Sequence, residues 1–302
     1  MESTQLIKQR IRSIEGTRQI TRSMRLVATT KVQKARGRLK VNSSYLEEAR
    51  YLAALSRHCV YGEKHPYITG KEVKRSLMIV ISGDRGLCGG YNVSVIRHGV
   101  AKMAELKNPC RVITIGSKAR DYFKRRSDHN LLESFTGMSE SPFYPVVADI
   151  ARLILDLYDK GEADEVWLCY TKFISMLLLE PKVVRILPIG EEPAKASAIR
   201  FEPKGAGILS SSVHFYLAAY IYGALLEAAC CEQSARITSM DAAVKSADDL
   251  ISGLTLVYNQ ARQSAITQEL TEIVSGADAV APETDVIEEL AAAILEMEEE
   301  ET

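Results

Sequence analysis

The chain has 302 residues, 46% hydrophobic and 25% charged, with a formal net charge of −1. Those proportions are ordinary for a globular protein and exclude collagen-like, low-complexity and disulfide-dense classes. The near-neutral total hides an asymmetry, because Lys8–Lys40 holds eleven Lys/Arg against the single acid Glu15, whereas Asp278–Thr302 holds ten Asp/Glu and no Lys/Arg. A basic head and an acidic tail signal interaction surfaces. The six cysteines (Cys59, Cys88, Cys110, Cys169, Cys230 and Cys231) form no CxxC pair and have no companion His cluster, so they read as reduced thiols rather than zinc ligands. A disulfide between the adjacent Cys230 and Cys231 would be strained. The N-terminus is charged from Glu2 and has no apolar h-region, and no run approaches 18 apolar residues. Neither a signal peptide nor a membrane span is therefore expected.

No proline occurs before Pro66 or from Lys204 to Ala281. Proline in a helix interior costs about 3 kcal/mol, so both ends permit long unbroken helices. Residues 3–58 read as one helix of roughly 80 Å, capped by Ser3 or Thr4. Its stripe runs through Ile7, Ile11, Ile14, Thr21, Met24 and Ala28, widened by Ile20 and Val27, and the 4-then-3 spacing predicts a partner helix. Residues 60–75 read as a loop. Strands follow at Ser76–Ser82, Cys110–Gly116, Asn130–Phe135, Glu165–Phe173 and Pro181–Ile189. Helices are predicted between them at Tyr91–Leu106, Ser117–Arg126 and Val146–Lys160. This alternation implies an open, mostly parallel sheet with helices on its faces, its last strand pair open to being antiparallel. Residues 191–208 read as a linker. The last helix is expected from a cap at Ser210–Ser212 to about Ser275, with Gly276 as its stop. Its seam is read as Leu217, Tyr220, Ala224, Ala228, Ala235, Ala242, Leu250, Leu254, Val257 and Ala261. Beyond Pro282, the 3-4-3 spacing of Ile287, Leu290, Ile294 and Met297 predicts a short acidic amphipathic helix.

The fold class is thus α/β: a long antiparallel coiled coil of N- and C-terminal helices plus a small open Rossmann-like α/β domain. The boundaries are 1–60 for the first coiled-coil helix, 61–208 for the α/β domain with its linker, 209–277 for the second helix and 278–302 for the tail. GDRGLCGGYN, Gly83–Asn92, stands between a strand and a helix, where phosphate loops sit. It lacks the Lys-Ser/Thr of a Walker A loop and the spacing of GxGxxG. It reads as a tight turn needing positive φ, or as a loop presenting Asp84, Arg85 and Cys88 to a partner. The basic first helix lacks interleaved aromatics, which favours an acidic protein surface over nucleic acid. No Ser/His/Asp, Cys/His or paired-carboxylate constellation is legible, and the five histidines are scattered. Catalysis by this chain alone is not expected. A nucleotide-dependent α/β enzyme with helical arms and a stand-alone coiled-coil or nucleic-acid adaptor remain the alternatives.

Three segments carry a resemblance: Ile7–Ala35, Ser82–Asn92 and Glu232–Ala279. They resemble, in register over about residues 3–280, the gamma subunit of the F-type ATP synthase. IGSKARDYF (Ile115–Phe123) and YTKFISMLLLEP (Tyr170–Pro181) fit the same family. The resemblance implies a central rotor shaft with no catalytic site and no cofactor of its own. Its terminal helices turn inside three alpha and three beta subunits, and its α/β domain meets the epsilon subunit and the membrane c-ring. No nucleic acid is involved, and the complex sits peripherally on the cytoplasmic face of a bacterial plasma membrane. By motif position the resemblance implies sleeve contacts at Arg22, Met24, Arg25, Cys88 and Arg236 toward the lower end of beta. It implies further contacts at Arg262, Gln263 and Thr267 higher in the sleeve. The stretch EEPAKASAIRFEPKG lacks the cysteine pair of chloroplast relatives, so thiol regulation is not expected. The tail from Pro282 exceeds the usual family end.

Overall fold

The computed structural model describes residues 4–56, 65–126, 130–189 and 206–280. The predicted cap Ser3, the linker after Ile189 and the tail past Val280 lie outside them. In chain order the elements are α1 (Thr4–Ser56), α2 (Pro66–Thr69), β1 (Ser76–Ile81), α3 (Tyr91–Glu105), β2 (Cys110–Ile115), α4 (Ser117–Lys124), β3 (Asn130–Phe135), α5 (Tyr144–Asp159), β4 (Glu165–Phe173), β5 (Leu179–Leu187) and α6 (Ala206–Val280). The predicted strands and internal helices all form. The loop read for 60–75 carries one helical turn, α2, which Pro66 starts at its first position. The last helix begins before the predicted serine cap. Ser212 therefore lies inside it and donates its hydroxyl back to the Ile208 carbonyl at 2.8 Å. Gly276 does not end α6 either, since glycine in a helix costs only about 1 kcal/mol and permits rather than forces a stop.

The chain divides into two compact units, Thr21–Val244 and Met1–Ile20 with Lys245–Thr302. In the first, five strands lie in the order β3-β2-β1-β4-β5. The β1 ladder is parallel on both sides, Ser76 pairing with Cys110 and with Glu165, and β4–β5 is antiparallel. All six β1 residues are buried, as a central parallel strand requires. Alternation sorts them: Leu77, Ile79 and Ile81 join α5 and the first half of α6 in one core, whereas Met78 and Val80 join α3 and α4 in the other. Leu209, Val213, Leu217, Ile221, Ala224 and Leu225 of α6 belong to that first core. Among the described residues, one apolar stretch is long enough by composition to cross a membrane; it lies in α6 and is 72% buried inside the fold.

In the same unit, α1 runs antiparallel to α6. Arg25 pairs with Asp241 at 2.8 Å, and Asn42 faces Gly223, where a Cβ would lie 2.8 Å from the Asn42 amide nitrogen. Glycine there lets the helices approach closely. In the second unit, Arg18 pairs with Asp248 at 2.8 Å. The inward line of α6 is Ala247, Ile251, Leu254, Tyr258 and Ala261, at strict 4-3 spacing. The predicted seam is corrected by it, because Ala242, Leu250 and Val257 fall off that line and are exposed. On α1, Ile20 and Val27 do not widen the stripe either, being 63% and 53% exposed.

Two glycines separate backbone strain from helix propensity. Gly116 opens α4 at φ +108°, and a Cβ there would lie 2.2 Å from the Ser82 carbonyl oxygen. Gly116→Ala is expected to destabilise by about 2–4 kcal/mol. Gly16 sits mid-helix with nothing within 4 Å of a Cβ, so Gly16→Ala should stabilise by about 0.5–1 kcal/mol. Urea unfolding midpoints moving in opposite directions check both.

Candidate functional site

The glycine loop follows β1 at the point where strand order reverses, since β2 and β4 flank β1. Open α/β sheets bind ligands there, outside the strand ends. In this chain the loop's own acid is bound by the segments that follow β2 and β3. Asp84 turns inward and accepts hydrogen bonds from the backbone N–H groups of Ser117 (2.9 Å), Gly137 (3.0 Å) and Ser139 (3.2 Å). Ser117 also donates its hydroxyl to the Asp84 carbonyl at 2.7 Å. The loop is closed on its other side by Asn92, which accepts from Gly83 N–H at 2.8 Å and donates to the Arg85 carbonyl. Burial raises the Asp84 carboxyl pKa, but the backbone donors outweigh it and hold the group below its ordinary value. One of the three donors, the Ser117 N–H, is the first of α4, whose N-terminus favours a negative charge.

Above the loop lies α6. Glu232 and Arg236, one turn apart, form a 2.7 Å ion pair whose side chains are 1% and 7% exposed. Arg236 Nη2 also donates to the Gly86 carbonyl at 3.1 Å. A Cβ at Gly83 would lie 2.9 Å from the Glu232 carboxylate, so glycine is what lets that acid settle on the loop. Burial pushes the Glu232 pKa up, against the opposing pull of Arg236. A half-exposed cluster borders the pair. Lys31 of α1 meets Glu140 at 2.7 Å, and Arg85 reaches the same carboxylate at 3.4 Å. Lys31 lowers the Glu140 pKa. Four segments, α1, the glycine loop, residues 137–141 and α6, are therefore joined by charge within one unit. Arg36 adds a cation–π contact, 5.8 Å from the Phe173 ring centroid.

The residues singled out by sequence divide into two groups. Cys88 is 2% exposed and packs with Tyr91 and Cys231, so its thiol faces inward, and burial raises its pKa. Arg236 is spent on Glu232 and Gly86. Asp84, read as presented to a partner, is an internal anchor instead. The loop shows outward Arg85 and Leu87, the latter 63% exposed at φ 61°. On α1, Arg22 and Arg25 are exposed and Met24 is half-buried, with Arg25 held by Asp241. On α6, Arg262, Gln263 and Thr267 are all exposed. The contributions of Glu232, Ser139, Glu140 and Lys31 were not anticipated. The i, i+4 spacing of Glu232 and Arg236 was visible, but not the burial of both. The five described cysteines are free thiols, and no group of His, Cys, Asp or Glu among the described residues could hold a metal.

A family model described as ATP synthase matches residues 3–280. This chain belongs to the ATP synthase gamma-chain family. The gamma chain of Pelotomaculum thermopropionicum is 38% identical over 284 residues, covering 93% of this chain and all of the relative. That of Alkaliphilus metalliredigens is 39% identical over 283 residues, covering 91% and 97%. Among solved structures, a chain of the Euglena gracilis mitochondrial ATP synthase aligns with a TM-score of 0.66 at 16% identity, over 91% of this chain and 94% of the other. A chain from the Tetrahymena thermophila mitochondrial ATP synthase, described as central stalk/c-ring, aligns at 0.59 and 22% identity, over 74% and 99%. The gamma-chain match ends at residue 280, where the described part of α6 also ends.

Arg236→Ala should leave Glu232 buried without its partner and cost this gamma chain about 3 kcal/mol. The double change Glu232→Gln with Arg236→Met should cost less, and denaturant midpoints for both variants check the order. Asp84 contributes stability that is full above its unfolded value, 3.8, and is lost as pH falls through its lower folded value. Glu232, raised by burial, runs the other way, favouring the folded state at low pH. Comparison with Asp84→Asn isolates the first effect. The stability gap between wild type and variant should shrink as pH drops below 3.8, measured by urea unfolding across pH.

Proposed function

We propose that this chain is the central shaft of an ATP synthase, turning to couple ion flow through a membrane ring to catalysis on alpha and beta subunits. The observation that carries the reading is the gamma-chain match over residues 3–280, which spans both long helices and the sheet domain. The arrangement of forces supports it. Within the larger unit, α6 is joined to the sheet domain by a full apolar core and by the Arg236–Gly86 hydrogen bond, and α1 by the Lys31–Glu140 ion pair. Their outward faces carry dispersed charge, and exposed ion pairs are worth only about 0–1 kcal/mol each. Contacts of that strength break and re-form without trapping a rotor at one angle.

In this reading three alpha and three beta subunits surround the helices. Arg22, Met24 and Arg25 lie toward the lower end of beta, with Arg262, Gln263 and Thr267 higher up. Arg262 serves as a charge-assisted donor to a carboxylate. The sheet domain meets the epsilon subunit and the c-ring, and the complex lies on the cytoplasmic face of a bacterial membrane. In this reading the shaft binds no cofactor of its own. Co-purification from membranes tests the assembly. Alpha and beta should be recovered at three copies each per copy of this chain, and recovery of this chain alone overturns the reading. In the reconstituted complex, Arg262→Ala should lower the ATPase rate roughly 3- to 10-fold. An unchanged rate removes Arg262 from the contact set.

A further inference from the structure

The turn between β4 and β5 has an unusual composition for a turn in water. Ile174, Ser175, Met176, Leu177 and Leu178 include no Gly, Pro, Asn or Asp, the residues that ordinarily make such turns. Leu177 is 89% exposed, and Ile174, Met176 and Leu178 around it are 39–56% exposed. A single exposed leucine needs no explanation, but a group of four apolar side chains on one turn marks an interaction site. The one polar side chain is used inside the turn, where Ser175 Oγ accepts from the Leu178 N–H at 3.0 Å. The Ile174 and Ser175 N–H groups both donate to the Leu178 carbonyl, at 3.3 and 3.1 Å. The tip is therefore a shaped prong.

Its root is fixed to both long helices. The Phe173 N–H donates to the Glu227 carboxylate of α6 at 3.1 Å. The Phe173 and Leu179 side chains, paired across the two strands, pack against Cys88, Tyr91 and Cys231. The Arg36 guanidinium of α1 covers the Phe173 ring. Whatever the prong holds is thereby coupled to α1 and α6 together.

We propose that this prong holds a subunit that turns with the chain, by entering an apolar pocket bordered by carboxylates. The inference rests on the reading of the chain as a shaft and names one surface by which the shaft keeps a partner. Charge selects the border of the pocket. Lys172 and Lys182 are exposed on the two strands of the stem, Arg36 is exposed at its root, and the exposed acid among them is Glu180, opposite Lys172. A second copy of this chain would set the same cations against each other, and like charges across an interface are costly. Anionic bilayers are recognised by clusters of about four to eight Lys/Arg, more than this stem carries. Motion decides between the remaining partners. A shaft slips past a stationary sleeve through hydrated charges that break and re-form at little cost. An apolar tip seated in a pocket resists sliding, because leaving the pocket returns the whole tip to water. Such a contact suits two parts that do not move relative to one another.

Cross-linking in the reconstituted complex tests the proposal. Met176→Cys, which keeps the apex leucine, is labelled with a benzophenone maleimide before assembly. The unsubstituted chain, treated alike, gives the background from native thiols. Irradiation should join residue 176 to a subunit other than alpha and beta, at an apolar site with neighbouring Asp or Glu. Both ends of that link turn together, so the ATPase rate should be the same before and after irradiation. A link to alpha or beta with loss of rate overturns the proposal, as do a link to lipid, a link to a second copy, and a yield no higher than background. Lys172→Glu with Lys182→Glu, added to the labelled variant, should lower the yield roughly fivefold. An equal yield removes the acidic border and overturns the proposal. Leu177→Ser should leave the urea midpoint of the isolated chain unmoved, because that side chain is exposed. A lower midpoint means that the tip serves the chain's own folding, and also overturns it. If alpha and beta assemble with the chain and no link forms, this inference falls and the proposed function stands. If the chain is recovered alone, both fall.

Discussion

The carboxylate of Glu232 is held 1% exposed over the glycine turn, at a place where any side chain on residue 83 would collide with it. A buried acid is costly unless its partner and its remaining lone pairs are satisfied. That requirement fixes Arg236 one turn later, and Arg236 in turn takes the Gly86 carbonyl, which a turn of this shape would otherwise leave without an internal partner. Once α6 is pinned there, its preceding half lies along the sheet and contributes to one core through residues such as Val213, Leu217, Ile221 and Leu225. The helix that forms the shaft is therefore also a core helix of the domain it carries. Separating the two would require opening an apolar core as well as the hydrogen bond from Arg236 to the Gly86 carbonyl.

The same pin accounts for the glycine loop's chemistry. The loop stands at a strand-order reversal, with backbone donors converging as they do in nucleotide folds. Here the Asp84 carboxylate is held internally, by three backbone N–H groups of the segments that follow β2 and β3, while Asn92 takes the Gly83 N–H.

Much of this was legible in the sequence. Proline placement marked both long helices, because a single ring in a helix interior is prohibitive. The apolar runs of β1, β2 and β4 marked buried parallel strands, and the gamma-chain motifs located the family. The seam of α6 was read less well. Its first half is apolar on nearly every side, since it packs against both a sheet and α1, so periodicity there does not single out one line. Its second half is marked by a 4-3 line that Leu250 and Val257 imitate in composition but not in phase. Motif position alone does not show that Cys88 is buried, nor that Arg236 reaches the carbonyl of Gly86, 150 positions away in sequence.

Burial separates the strong contacts from the weak ones along the long helices. Where α1 and α6 meet the sheet domain, charge is sequestered in the Glu232–Arg236 pair, or shared around Glu140 with both flanking cations. The ion pairs Arg18–Asp248 and Arg25–Asp241, one in each unit, have side chains 30–49% exposed, in the range where water and salt screen most of their energy. The helix pair is thus held by seam packing more than by charge, and its charges remain mostly hydrated. A shaft has to satisfy both conditions together. It must be cohesive within itself, which burial and close approach at Gly223 provide, and it must adhere weakly to whatever surrounds it. A surface of hydrated, dispersed charge over a narrow apolar seam meets the second condition without weakening the first, because the residues that bind the helices to each other are not those that face outward.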